Sequence, residues 1–228
     1  MRHSVLICAL LVALVGSLPS SVATAATSPA SWRTVVTTFA AKHFRNPAWG
    51  YSHCVRDYEL ARALASQDKV QLDDDVLFAA AYLHDMAAFA PWDREKEGID
   101  HADEGARVVD TVLAKTDFPM SKIEAVRGAI RTHMFDRTPS GPEAIYLHDA
   151  DALDWLGAIG VARIFALVDP NGGDPDGPKA ARMLRENLSK VPRGVVSSAA
   201  RARLPALQKE LSSFLADLDR ETDGLRTL

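Results

Sequence analysis

A histidine and an aspartate stand side by side at His84 and Asp85, inside the otherwise apolar segment AAYLHDMAAF. Polar groups in such a run must be hydrogen-bonded, paired, or bound to a metal, because burial without a partner is costly. Taken alone, the pair is served equally well by a structural contact and by a ligand role. Further candidates lie on either side: His53 in SHCVRDYELARALA, His101 in DHADEGARVV, His133 in AIRTHMF, and Asp149, Asp151 and Asp154 in AIYLHDADALDWLGAIG. Imidazole nitrogen and carboxylate oxygen suit divalent zinc, manganese or iron, and side chains from facing helices can converge on an ion inside a bundle.

The order His53, then His84 with Asp85, then Asp151 resembles the HD-domain superfamily of metal-dependent phosphohydrolases, over roughly Trp49 to Val168. The segments SHCVRDYELARALA, AAYLHDM and LHDADALDWLGAIGVAR carry the likeness over many consecutive residues. The run Ala150, Asp151, Ala152, Leu153 is similar to the Asp-Ala-Asp-x-Leu members, which prefers Asp151 to Asp149. The resemblance implies an all-α, single-domain helical bundle with a metal site between helices, and one or two divalent ions, manganese, iron or zinc. His53, His84 and Asp151 would hold one ion, His101 and His133 a second, with Asp85 between them. His43 and His148 have no place in the motif.

Such an ion lowers the pKa of its bound water towards ~7 and polarises a phosphoryl oxygen. The implied activity is hydrolysis of a phosphate ester or nucleotide-like anhydride, with Asp85 at the reacting centre and a small phosphorylated molecule as substrate. Relatives of this type also include di-iron oxygenases and nitrile or cyanamide hydratases, and a noncatalytic metal-binding module is a third possibility. The loop FAPWDREKEGIDH departs from the better-known nucleotidases and leaves the substrate open. Arginine binds phosphate through a planar fork. Arg56, three residues after His53 on the same helical face, is the first choice for that role, ahead of Arg131 and Arg163. The ligating histidines would need acceptors for their outer nitrogens, for which Asp149 and Asp154 are candidates.

Helices must carry these residues, since apolar spacing is helical almost throughout and no segment alternates at the period of a strand. Helices are expected from about 31 to 44, from 51, after the acidic group Asp73, Asp74 and Asp75, from 100 to 116, and from 121 to 132, the last opened by a Ser121–Glu124 capping box. Another runs from 142 through 168, bent or divided at Gly157 and Gly160, followed by helices near 179–190 and 197–219. The loop FAPWDREKEGID follows the His-Asp pair and reads as the rim of a site, with Arg94 to Glu97 as a solvated charge cluster.

MRH, an apolar run from about Val5 to Val15, and Ala23 and Ala25 together form a secretory signal pattern with cleavage after Ala25. Residues 26–228 then form the domain, exported to the periplasm or beyond, with no membrane anchor. Loss of Arg2 takes the net charge from −4 to −5, so no general attraction to nucleic acid is expected. Cys8 leaves with the leader, and Cys54 reads as a small buried hydrophobe. Composition does not settle the oligomeric state.

Overall fold

The computed structural model describes residues 31–228, all of whose regular structure is helical, so the expected leader lies outside the described residues. Helix α1 (Trp32–His43) is capped by the Ser31 hydroxyl, and α2 (Tyr51–Gln67) buries His53, Asp57, Ala61 and Leu64 along one line of its surface. Helix α3 (Asp74–Leu83) opens where the sequence predicts, with the Asp73 carboxylate accepting from the amides of Asp75 and Val76. Every residue of α3 from Val76 to Leu83 is buried, as suits a helix that is apolar on all sides.

The next segment makes short 3-10 turns at Met86–Ala88 and Glu95–Glu97 before α4 (His101–Val108), capped by Asp100, and α5 (Asp110–Leu113). The 3-10 turn Met120–Lys122 leads into α6 (Ile123–Arg131). The expected Ser121–Glu124 capping box does not form. Lys122 occupies the cap position without a side-chain bond, and the Glu124 carboxylate pairs with Arg127. Helix α7 (Pro142–Asp154) starts on a proline at its first position and is almost wholly buried from Tyr146 to Asp154. Then follow α8 (Gly157–Phe165), α9 (Gly177–Lys190) and α10 (Ser198–Glu221).

The central helices are α3 and α7. Helix α2 packs on both, α6 packs on α3, α4 and α7, and α8, α9 and α10 close the far side. No helix among the described residues is long and apolar enough to cross a membrane.

Of the two glycines expected to break the helix after 142, only Gly157 does so. Its φ of +59° starts a new direction after Trp155 and Leu156. Gly160 lies inside α8, where a Cβ would sit 2.3 Å from the Trp155 carbonyl oxygen, so α8 can pass this close to the end of α7 only without a side chain. Gly160→Ala is expected to cost about 1–3 kcal/mol, the usual range for overpacking. Urea unfolding of the variant against wild type checks this, and an unchanged midpoint would mean that the crossing is looser than described.

Candidate metal centre

Five helices deliver polar side chains to one buried point. Helix α2 contributes His53 and Asp57; His84 caps the C-terminus of α3, with Asp85 in the turn beyond; His101 opens α4; His133 follows the end of α6; and α7 contributes Asp151 and Asp154. All except His101 are buried, and His101 is about three-quarters covered, with 28% of its side chain exposed. His53 Nε2 lies 3.1 Å from His84 Nε2 and 3.3 Å from Asp151 Oδ1. The Asp85 carboxylate divides between two groups. Its Oδ2 is 3.6 Å from His53 Nε2 and 3.3 Å from His84 Nε2, whereas Oδ1 is 3.4 Å from His101 Nε2 and 3.5 Å from His133 Nε2.

The orientation of three rings follows from what their outer nitrogens bond. The last carbonyls of a helix lack intrahelical partners. His84 Nδ1 donates to Ala81 O at 2.8 Å, and His133 Nδ1 to Ile130 O at 2.7 Å. A carbonyl only accepts, so in the neutral ring the lone pair is on Nε2 and points into the cluster. His53 Nδ1 donates in the same way to Asp154 Oδ2 at 2.9 Å. Opposed lone pairs on His53 and His84 at 3.1 Å repel unless a proton or a cation sits among them. Ligands held at 2.0–2.2 Å by one ion lie roughly 3–3.5 Å apart, which is the spacing of these atoms. The donor set therefore fits zinc, manganese or iron.

Electrostatics make the same demand. Burial alone would lower the pKa of His53, but the charge of Asp57, opposed by Arg163, and the neighbouring Asp151 and Asp154 carboxylates outweigh burial and push the ring up to about 10. Burial pushes the Asp57 acid well above the usual carboxylate range. Despite burial, His84, His101 and His133 hold Asp85 well below that range, while burial leaves the His84 ring low. The cluster has an excess of carboxylate and calls for positive charge at its centre.

Asp154 is the hub of the surrounding layer. It accepts from His53, from Arg56 Nε at 2.9 Å and Nη2 at 2.7 Å, and from Arg163 Nη1 at 3.1 Å. Arg56, expected as a phosphate donor, is thus committed to a carboxylate and does not line the cavity over the cluster. Arg163 is buried, with its guanidinium 3.6 Å from the Trp155 ring centroid and its Nε bonded to Ala48 O. Asp149, the other candidate for a histidine partner, instead receives the amides of Val196 and Ser197 ahead of α10. Arg131 lies at the surface near Asp103. His148 joins Thr132 O to Gly194 O, and Cys54 is a buried free thiol.

Asp57 was missed by the sequence reading. Its signal was position, since it lies four residues after His53, one helical turn along the same face.

A cavity of about 350 Å³ opens over the cluster. Asp85, His101, His133 and Asp151 form its floor, Trp49 and Trp155 line it, and Asp93, Glu95 and Asp100 stand at the rim supplied by the loop after the His-Asp pair. Among the described residues its lining contains no lysine or arginine. His53, Asp57 and His84 lie outside that lining.

No curated protein sequence matches the chain significantly. Solved structures do. A Lactobacillus plantarum protein aligns with a TM-score of 0.63 at 22% identity, covering 83% of this chain and 96% of its own. YpgQ of Bacillus subtilis, solved in complex with ADP, aligns with a TM-score of 0.61 at 17% identity over 83% of this chain and 97% of its own. An HD-superfamily hydrolase from Bacillus thuringiensis aligns with a TM-score of 0.57 at 23% identity over 84% of this chain and 95% of its own. These identities speak for a shared fold. Residues 50–156, which contain the His53, His84–Asp85 and Asp151 elements, match the HD domain, and through that segment the chain belongs to the HD-domain superfamily.

Proposed function

We propose that this chain is a metal-dependent hydrolase that cleaves a small phosphate ester. The observation that carries the reading is the divided carboxylate of Asp85, with one oxygen facing His53 and His84, the other facing His101 and His133, and the residue itself on the cavity floor. His53, His84 and Asp151 would hold an inner ion, His101 and His133 an outer one, and Asp85 would contact both. When bound, divalent ions supply an activated water and polarise the phosphoryl oxygen.

The chain's own residues do the rest. Asp154 holds His53 in the tautomer that presents Nε2, and Arg56 and Arg163 hold Asp154. Trp49 and Trp155 would cover the organic part of the substrate and exclude water. With no lysine or arginine in the lining, binding of the phosphate falls to the ions, which favours one phosphate over a polyphosphate chain. The fold accepts phosphorylated ligands elsewhere, since YpgQ was solved with ADP. Export, as the leader pattern implies, would suit a scavenging phosphatase better than control of nucleotide pools.

A second reading is favoured by the same acidic and aromatic lining, which also suits an uncharged or cationic substrate: a di-iron oxygenase on the HD scaffold. Iron content together with oxygen uptake during turnover would distinguish it.

Elemental analysis of protein purified without chelator is expected to find up to two divalent ions per chain, and His133→Ala should lose the outer one. Hydrolysis of p-nitrophenyl phosphate by Asp85→Ala should fall at least ~100-fold, about 2.7 kcal/mol of barrier. Failure of wild type to take up any metal after reconstitution would remove the hydrolase reading.

The layer around Asp154 generates a separate expectation. Asp154→Asn should weaken metal binding about 10–100-fold, with turnover recovering at saturating metal. Arg56→Ala should act in the same direction but less, and leave KM for the phosphate ester unchanged. A raised KM at saturating metal would return Arg56 to the substrate.

A further inference from the structure

Asp57 is the strangest group in the molecule. It is fully buried on α2, and neither carboxylate oxygen has a hydrogen-bond partner among the described residues. Its Oδ2 lies 3.1 Å from His53 Nε2 and 3.7 Å from His84 Nε2, close enough for charge contact but out of line for a hydrogen bond. Buried carboxylates are almost always hydrogen-bonded or bound to a cation. One carboxylate oxygen of Asp57, one of Asp151 and one nitrogen each of His53 and His84 all lie within 4.8 Å of one another.

We propose that Asp57 is a ligand of the inner ion, beyond the His53, His84 and Asp151 set, and that it closes this position so that the inner ion is held more tightly than the outer one. The inference rests on the reading of the cluster as a metal centre. Two observations carry it beyond that reading. Oδ2 of Asp57 stands beside the Nε2 atoms of both His53 and His84, whose lone pairs point into the cluster, and neither Asp57 oxygen has a hydrogen-bond partner among the described residues. Of the inner residues, His53, Asp57 and His84 lie away from the cavity and only Asp151 reaches its floor, whereas both outer histidines, His101 and His133, face it. With Asp85 Oδ2, the inner position would have two nitrogens and three carboxylate oxygens and need no solvent ligand. The outer one, with two histidines and Asp85 Oδ1, stays open to solvent and substrate.

An alternative role for Asp57, as a buried acid that only fills space, predicts unchanged metal affinity in the Asn variant, and the two roles agree on the metal-free protein. Loss of a buried acid that has no hydrogen-bond partner should leave the metal-free protein as stable as before or more so. Loss of a ligand should cut affinity for the inner ion alone. Calorimetric titration of chelator-treated wild type with zinc(II), and in parallel with manganese(II), is expected to show two steps. Asp57→Asn should weaken the tighter step by at least ~10-fold and leave the looser one in place. His101→Ala should remove the looser step and keep the tighter.

Thermal unfolding gives an independent readout: Asp57→Asn should melt no lower than wild type without metal, yet gain less on adding one equivalent. Two unchanged steps and an unchanged metal-induced rise in Asp57→Asn would overturn the role of Asp57 while leaving the metal centre intact. No binding by wild type would overturn both. If Asp57→Asn fails to fold, wild type with one equivalent of cobalt(II) decides. Weak visible bands of a five- or six-coordinate ion support the extra ligand, and intense tetrahedral bands overturn it.

Discussion

Four aspartates, Asp57, Asp85, Asp151 and Asp154, are buried within one cluster, and the rest of the structure is arranged around what that requires. Each ionised carboxylate taken from water loses several kcal/mol of hydration unless opposite charge and hydrogen bonds replace it. One of the four is settled by the protein itself, because Asp154 is held between Arg56 and Arg163 and also accepts from His53. The other three face imidazole rings. That arrangement is stable only if α2, α3, α4, α6 and α7 meet at one depth. The apolar surfaces of α3 and α7, buried on nearly all sides, hold these helices there.

Placement at helix ends does the fine positioning. His84 and His133 each stand just past a helix and donate to the carbonyl three residues back, Ala81 and Ile130. A carbonyl in the last turn of each helix thereby becomes the group that fixes ring tautomer and direction. Only His53 is held by a side chain instead, since it lies within the first turn of α2 and reaches across to α7. Gly160 belongs to this system at one remove. The close passage of α8 over Trp155 that it permits brings Arg163 against both the Trp155 ring and Asp154.

The helices were legible because apolar periodicity is a local signal, whereas the six histidine and aspartate positions were reached through the family resemblance and not through spacing. Apolar periodicity marks a helix whatever it packs against, and the Asp73 cap and the breaks at Pro91 and Gly98 are local signals too. What was not legible depended on partners distant in sequence. Arg56 and Asp57 occupy adjacent positions with equal claims to the His53 face, and only the arrival of Asp154, 98 residues from Arg56, commits the arginine to a structural pair. Asp149 and Asp154 look alike in the sequence. One caps backbone ahead of α10 and the other holds a ligand, a difference set by which neighbour each meets. The Ser121 capping box failed for a local reason, because Glu124 pairs with Arg127 one turn further along α6.

Charge at the centre bears on how an acidic cavity could receive an anion at all. Asp93, Glu95 and Asp100 stand at its rim and the lining has no basic side chain. Apart from Asp154, neutralised by its arginines, the cluster offers the three carboxylates Asp57, Asp85 and Asp151. One divalent ion would leave that set at net charge −1, and a phosphate ester would be repelled by both centre and rim. Two ions would leave it at +1, with the excess on the outer side where the cavity opens. Coulomb energy in a partly buried site is several-fold larger than in water, so this single charge can outweigh an exposed rim screened by solvent. On that arithmetic, phosphate chemistry here requires the outer position to be filled, and a centre with only the inner ion would bind neutral or cationic molecules instead.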